Sequence, residues 1–248
     1  YTLYIRSNRG KLFSLTYNIL KYFLKNEESA FNAALGMEIL SANSLILDDI
    51  FDNDLERQGC PAAHVVYGIR KAIYSVFYTN SKVFKINEKD EEIRDLLQKA
   101  WFKRLESFID EEKIKKKKVS INDYINLSKK IAAFAIEFGR YIKRKYRNKI
   151  ANSLSNYLYY SSLAWVFDDP LLMFREPTKK ALSDIRNGYI TLPILLLKKK
   201  LRGNDRNVFK ENFGGKGKET IIIHLLKKYN IEEECKKIVR RLHVKACN

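Results

Sequence analysis

The sequence predicts an all-α fold. Its 248 residues include only four Pro and ten Gly, below the average usage of roughly 5% and 7%, so the backbone rarely breaks or reverses sharply. Hydrophobic residues make up 46% of the chain, with 15 Tyr and 14 Phe, enough apolar surface to favour a folded globule over disorder. Apolar residues recur at helical spacing along most of the length, the pattern of amphipathic helices. No repeat and no linker divides the chain, so 1–248 reads as a single domain: a large bundle of roughly ten or more helices around a central one.

In chain order, 18–24 and 31–47 carry apolar residues at helical spacing, and the second run flows directly into an acidic cluster. Gln58-Gly59-Cys60-Pro61 marks a break, and the pattern resumes over 64–81. The segment 91–109 places Ile93, Leu96, Leu97, Ala100, Trp101, Leu105 and Phe108 on one broad face. Residues 110–120 form a charged connector, in which Ser120 and Asp123 can cap the next helix. A strongly amphipathic helix is predicted over 121–142 and a nearly uncharged core helix over 150–173. Beyond an apolar helix at 191–197 and a glycine loop at 214–217, the tail reads as two short basic helices.

The net charge of +18 comes from 47 Lys and Arg against 29 Asp and Glu. Such a surface can attract phosphates, nucleic acid or anionic membrane. The excess sits in runs such as 115–118 and 198–200, which read as solvated helix faces. No basic stripe interleaved with aromatics marks a nucleic-acid groove. Cys60, Cys235 and Cys247 are odd in number and widely spaced, so neither a zinc site nor a disulfide framework is predicted, and a reducing, cytoplasmic compartment is expected. No run approaches ~18 consecutive apolar residues, so no transmembrane segment is predicted. The chain begins at Tyr1, without Met or a signal-like segment, and the expectation is that an N-terminal piece is missing.

The most informative run is Leu45-Ile46-Leu47-Asp48-Asp49-Ile50-Phe51-Asp52. On a helix, Asp48 and Asp52 are i,i+4 neighbours on one face. Two carboxylates so placed at the end of an uncharged helix repel each other and resist desolvation. A hard divalent cation relieves both, and magnesium takes one or two carboxylates together with substrate phosphates. Trp165-Val166-Phe167-Asp168-Asp169-Pro170-Leu171-Leu172 repeats the arrangement at the end of a second apolar helix. Two such ends facing each other would clamp a diphosphate between metal ions and stabilise charge on a departing oxyanion.

The stretch from Glu38 through Asp48-Asp49-Ile50-Phe51-Asp52 to Arg57-Gln58-Gly59-Cys60-Pro61 and His64 resembles the first aspartate-rich region, DDxxD then RRGxPxxH, of the trans-isoprenyl diphosphate synthases. Tyr67-Gly68-Ile69 is similar to the geranylgeranyl diphosphate synthase branch. Asp168-Asp169 through Ser183-Asp184-Ile185-Arg186-Asn187-Gly188-Tyr189-Ile190-Thr191-Leu192-Pro193 resembles the second region. The resemblance implies a class I isoprenoid-synthase bundle around a central cavity, a homodimer, and three magnesium ions with substrate bound. It implies metal ligation by Asp48, Asp49, Asp52, Asp168 and Asp169, and a grip on the allylic diphosphate by Arg57 and Lys130. Tyr74–Tyr78 and 150–167 are the apolar surfaces expected to serve the dimer.

This chain departs from the pattern mainly where the family binds isopentenyl diphosphate. Lys11 is the one cation retained from GKRxRP, Ser41 replaces a His or Gln, and Gln58 replaces the second Arg of RRG. At the other site, Tyr189 stands in place of the Lys of GK, Leu172 in place of the third Asp of the second motif, and Trp165 in place of a Gln. Pro170 should kink the helix carrying Asp168. Before the first motif, where bulky aromatics shorten the product in this family, stand Asn43 and Ser44. They imply a cavity open to longer chains, with Asn43 either facing the substrate or satisfied in the core. Asymmetric loss of the second substrate site makes a terpene synthase acting on one C15–C20 prenyl diphosphate the leading expectation. The alternative is a divergent prenyltransferase that joins an allylic diphosphate to isopentenyl diphosphate. A third reading is a catalytically weak partner subunit of a prenyl synthase.

Overall fold

The computed structural model describes residues 10–57, 59–115, 119–175 and 182–248, with the side chains of residues 11 and 12 outside that set. Among these residues there are fourteen α-helices and one two-residue-per-strand hairpin. The first half comprises α1 (Gly10–Phe23), α2 (Glu27–Phe51), the hairpin β1 (Glu56–Arg57) and β2 (Cys60–Pro61), α3 (Ala63–Tyr67), α4 (Ile69–Ile86) and α5 (Glu91–Ile114). Then come α6 (Ile121–Ile131), α7 (Ala133–Tyr146), α8 (Lys149–Asp168), a 3-10 turn (Asp169–Leu171) and α9 (Leu172–Arg175). The rest is α10 (Ser183–Asn187), α11 (Leu192–Lys200), α12 (Asp205–Asn212), α13 (Glu219–Lys228) and α14 (Ile231–Cys247).

Local chemistry sets the helix ends. The Asn26 side chain accepts from the Ser29 amide at 3.1 Å, and Glu27 and Glu28 occupy the first turn of α2, where its dipole favours acids. Ser120 and Asp123 form a reciprocal capping box at the start of α6, with bonds of 3.1 and 3.0 Å. The long helix predicted over 121–142 is divided at Ala132 into α6 and α7. Charged as it is, 110–114 continues α5, and Pro170 converts the end of α8 into the 3-10 turn. That proline lacks the amide that would continue the helical ladder. The predicted break after α2 is a hairpin, with Arg57 paired to Cys60 across it.

Two apolar clusters form the interior. One packs α2 against α1, α4 and α5 through Leu20, Met37, Leu40, Val83, Leu97 and Trp101. The other gathers α11, α13 and α14 through Ile194, Leu197, Ile222, Leu226 and Ile231. Helices α7 and α8 belong to both: Phe138 and Leu158 lie in the first cluster, Ile136 and Phe167 in the second. α2 is the one described helix long and apolar enough to cross a membrane by length and composition, although no unbroken apolar run suggests it. More than half of that stretch is buried among its neighbours. The segment 150–167, expected at a dimer contact, mostly packs between α7 and α14. Tyr74, Phe77 and Tyr78 on α4, by contrast, are 64–67% exposed, with Phe102 and Ile109 of α5 also open.

The α7–α8 crossing is close because Gly139 has no side chain. A Cβ there would meet the Ser155 Cα at 3.2 Å, a backbone atom that cannot rotate away. We expect Gly139→Val to push α7 off α8 and destabilise the protein by about 1–3 kcal/mol, the usual range for overpacking. A thermal midpoint equal to wild type would show that the crossing has slack.

Candidate active site

Asp48 and Asp52 occupy the last turn of α2. The Asp52 amide donates to the Asp48 carbonyl at 2.9 Å, and Asn53 then turns into the left-handed region (φ 54°), sending the Asp54 amide back to the Asp49 carbonyl. Asn is among the few residues that tolerate that conformation at a helix end. These acids therefore sit at the negative pole of α2, where the dipole disfavours them. Asp168 ends α8 in the same way, and its cap residue Asp169 donates its amide to the Trp165 carbonyl.

Two arginines partly offset this charge. The hairpin returns Arg57 to the end of α2, where its Nε donates to Asp49 at 2.7 Å and its Nη2 to Asp48 at 2.9 Å. Arg104 reaches the other Asp48 oxygen from α5 at 2.9 Å. It is 6% exposed, bonds Ser107 at 2.7 Å and lies 4.1 Å over the Phe108 ring. Each oxygen of Asp48 is thus held by a different guanidinium. Asp49 is fully buried against Arg57.

The remaining carboxyls crowd one another. Burial and the charge of Asp48 push Asp52 up to about 7. Burial, with help from Asp48 and Asp52, pushes Glu111 of α5 up to about 8. Asp184 at the start of α10 is raised well above the carboxylate range, first by burial and then by Asp52, Asp169, Glu111 and Asp48. Asp184 therefore senses the acids of both motifs, which brings the ends of α2 and α8 to one place. Beside them, the Tyr189 hydroxyl bridges Asp52 and Glu112, 3.1 Å from the latter. Gly188 permits this by adopting φ 76° at the end of α10, so that the Tyr189 amide closes onto the Asp184 carbonyl at 2.9 Å.

Several expectations take a different form. Lys130 pairs with Asp110 at 2.7 Å and Glu106 at 3.0 Å, on a side of α5 turned away from Arg104 and Glu111. Asn43 does not line a cavity: its Nδ2 donates to Thr79 at 2.8 Å and Asn80 at 2.6 Å in the α2–α4 contact. Ser44 is buried as well and donates to the Ser41 carbonyl. Trp165, one turn before Asp168 and Asp169 on the same helix, is 60% exposed. The Lys11 side chain and Gln58 lie outside the described residues.

The sequence reading missed Arg104, Glu111 and Asp184. The signal for the first two was their position: Arg104, Phe108 and Glu111 continue the helical stripe of Leu97, Ala100 and Trp101, where charge is out of place. Among the described residues, no three His, Cys, Asp or Glu side chains close into a group able to hold an ion alone. An oxygen-only donor set with an excess of crowded carboxyls fits magnesium, whose shell substrate phosphates and water would complete.

The polyprenyl synthetase family model matches residues 5–229. A short chain isoprenyl diphosphate synthase of Methanocaldococcus jannaschii is 27% identical over 222 residues, covering 84% of this chain and 68% of that one. A geranylgeranyl diphosphate synthase of Saccharolobus solfataricus is 25% identical, covering 77% and 63%. The crystal structure of geranylgeranyl pyrophosphate synthetase from Pyrococcus horikoshii superposes with a TM-score of 0.75 at 26% identity, over 89% of this chain and 73% of that one. The chain spans between 57% and 68% of the length of the first three curated relatives it matches.

The crowding has a consequence for stability. Asp52 and Glu111 keep their protons longer when folded than when unfolded, so their contribution is whole below about pH 4 and is lost as pH rises through about 7 and about 8. We expect the metal-free protein to lose thermal stability between pH 5 and pH 8, and Asp52→Asn with Glu111→Gln to flatten that slope. An unchanged slope in the double variant would rule out these two groups as its source.

Proposed function

The chain belongs to the polyprenyl synthetase family, and from that premise we propose that it binds an allylic prenyl diphosphate at the joint end of α2 and α8 and transfers the prenyl group to isopentenyl diphosphate, as a chain-elongating synthase of geranylgeranyl type. The observation carrying the reading is the pair of helices ending in Asp48–Asp52 and Asp168–Asp169 around Asp184. Relatives named as isoprenyl and geranylgeranyl diphosphate synthases, aligned over most of this chain, favour elongation over cyclisation.

Magnesium bound there would neutralise the carboxylates and stabilise charge on the departing pyrophosphate. Asp48 and Asp52 offer oxygens on one face of α2, and Asp168 offers one from α8. Arg57, set in a hairpin between Asp48 and Asp49, keeps a fork of donors at the same place, suited to a phosphate oxygen. Phe51 and Phe108, packed edge to face near Arg104, supply aromatic surface at the end of α2, which can face a carbocation favourably.

A second reading is a terpene synthase acting on one prenyl diphosphate. Ser41 and Gln58 favour it, since neither supplies the cation that a second diphosphate needs. A 64-residue segment is 42% identical to a fusoxypene synthase of Fusarium oxysporum. The two readings separate on pyrophosphate release from farnesyl or geranylgeranyl diphosphate. We expect slow release with the allylic substrate alone and a rise of about 100-fold or more when isopentenyl diphosphate is added. Equal rates with and without it would establish the single-substrate reading.

We also propose that a second copy covers the outer face of α4, because Tyr74, Phe77 and Tyr78 lie exposed along that helix and exposed apolar surface marks interaction sites. Light scattering should give a dimer mass at micromolar concentration, falling to a monomer in Phe77→Asp. A monomeric wild type would overturn the assignment.

A further inference from the structure

We infer that Lys115 supplies, from the end of α5, the cation that the Gly188-Tyr189 turn lacks, and that it binds a phosphate oxygen of the leaving group beside Asp52. This rests on the proposed prenyl diphosphate site. Tyr189, at the turn beside Asp52, has a side chain without a positive charge. In the folded chain the Lys115 ammonium lies 4.4 Å from the centre of the Tyr189 ring. The hydroxyl of that same ring is bonded to Asp52 and Glu112. A lysine therefore lies over the ring that is bonded to Asp52.

The position follows from helix geometry. Arg104, Phe108, Glu111 and Lys115 are spaced four, three and four residues apart, so they form one stripe along α5. The top of that stripe holds Asp48 through Arg104. Its middle is Glu111, which senses Asp48 and Asp52. Lys115 closes it, donating its amide to the Glu111 carbonyl at 3.1 Å as the helix ends. The direction of the stripe carries the Lys115 ammonium to the Glu111 end of α5, over the Tyr189 ring.

The contacts hold the ammonium in place without neutralising all of it. Glu112 is 3.0 Å away, and the side chain is 29% exposed. An exposed i,i+3 pair of this kind contributes little stability by itself. The ring face of Tyr189 adds a cation–π attraction that holds the ammonium over the ring whose hydroxyl bonds Asp52. Lysine binds phosphate as a point charge with three rotatable donors, so it can keep the ring while adding a phosphate oxygen.

The test is calorimetric binding of inorganic pyrophosphate with magnesium, using folded variants checked by circular dichroism. Lys115→Met should weaken binding about 10-fold or more, the loss of one charge-assisted contact, while Lys115→Arg stays within a few-fold of wild type. Lys113→Met, an equal change of net charge two residues away on a lysine facing Asp110, should bind like wild type. Combining Lys115→Met with Tyr189→Lys should restore affinity, because the turn then supplies the cation. Should Lys115→Met fail to fold, Lys115→Gln carries the same expectation. Wild-type affinity in Lys115→Met, alongside loss of binding in Asp52→Asn, would overturn the role of Lys115 and leave the site reading standing. Equal losses in Lys113→Met and Lys115→Met would reduce the effect to bulk charge and overturn it too. Absence of magnesium-dependent binding in the wild type would overturn both.

Discussion

Two helices end in carboxylates at the pole of the helix dipole that repels them, and the architecture around them answers that conflict. Glu27 and Glu28 at the start of α2 are where helix chemistry prefers acids; Asp48 and Asp52 at its end are where it does not. Asp168 repeats the arrangement on α8. Arg57 and Arg104 each hold one oxygen of Asp48, and Asp49 is closed against Arg57. At Asp52, Glu111 and Asp184 burial outweighs the nearby donors and cations, and these groups are driven toward their protonated forms. A protein under selection for stability alone would not gather these groups. A divalent cation and its phosphate ligands would discharge them together.

The apolar structure serves to bring those ends to one point. α2 is fixed by a cluster shared with α1, α4 and α5, and the end of α8 by the cluster around α11, α13 and α14. α7 and α8 lie in both, and the close crossing at Gly139 ties them. The Arg104–Lys115 stripe on α5 then faces the same junction. Rigid helices packed at native density hold charged ends more closely than loops could.

Much of this was legible in the sequence because it depends on spacing. The charge-free runs 39–47 and 150–167 that lead into Asp48 and Asp168 are visible, and so are the capping pair Ser120 and Asp123 and the effect of Pro170. What was not legible depends on side-chain direction between distant elements. Lys130 lies at a plausible place in the chain but points to the Asp110 side of α5. Arg104 continues the apolar stripe of α5, but only the fold shows that this stripe faces Asp48. Asn43 had two open readings from sequence, and only its contacts with Thr79 and Asn80 decided between them. The split at Ala132 leaves the amphipathic pattern of 121–142 unbroken, so periodicity could not reveal it.

The central claim is that the ends of α2 and α8 form one metal–diphosphate site. Electron paramagnetic resonance of manganese in the presence of inorganic pyrophosphate tests it most directly, comparing wild type with Asp48→Asn and Asp168→Asn. The account predicts pyrophosphate-dependent manganese binding that is weakened by either substitution, one from each helix end. Full binding in Asp168→Asn beside loss in Asp48→Asn would mean that the two motifs act separately, and would contradict it.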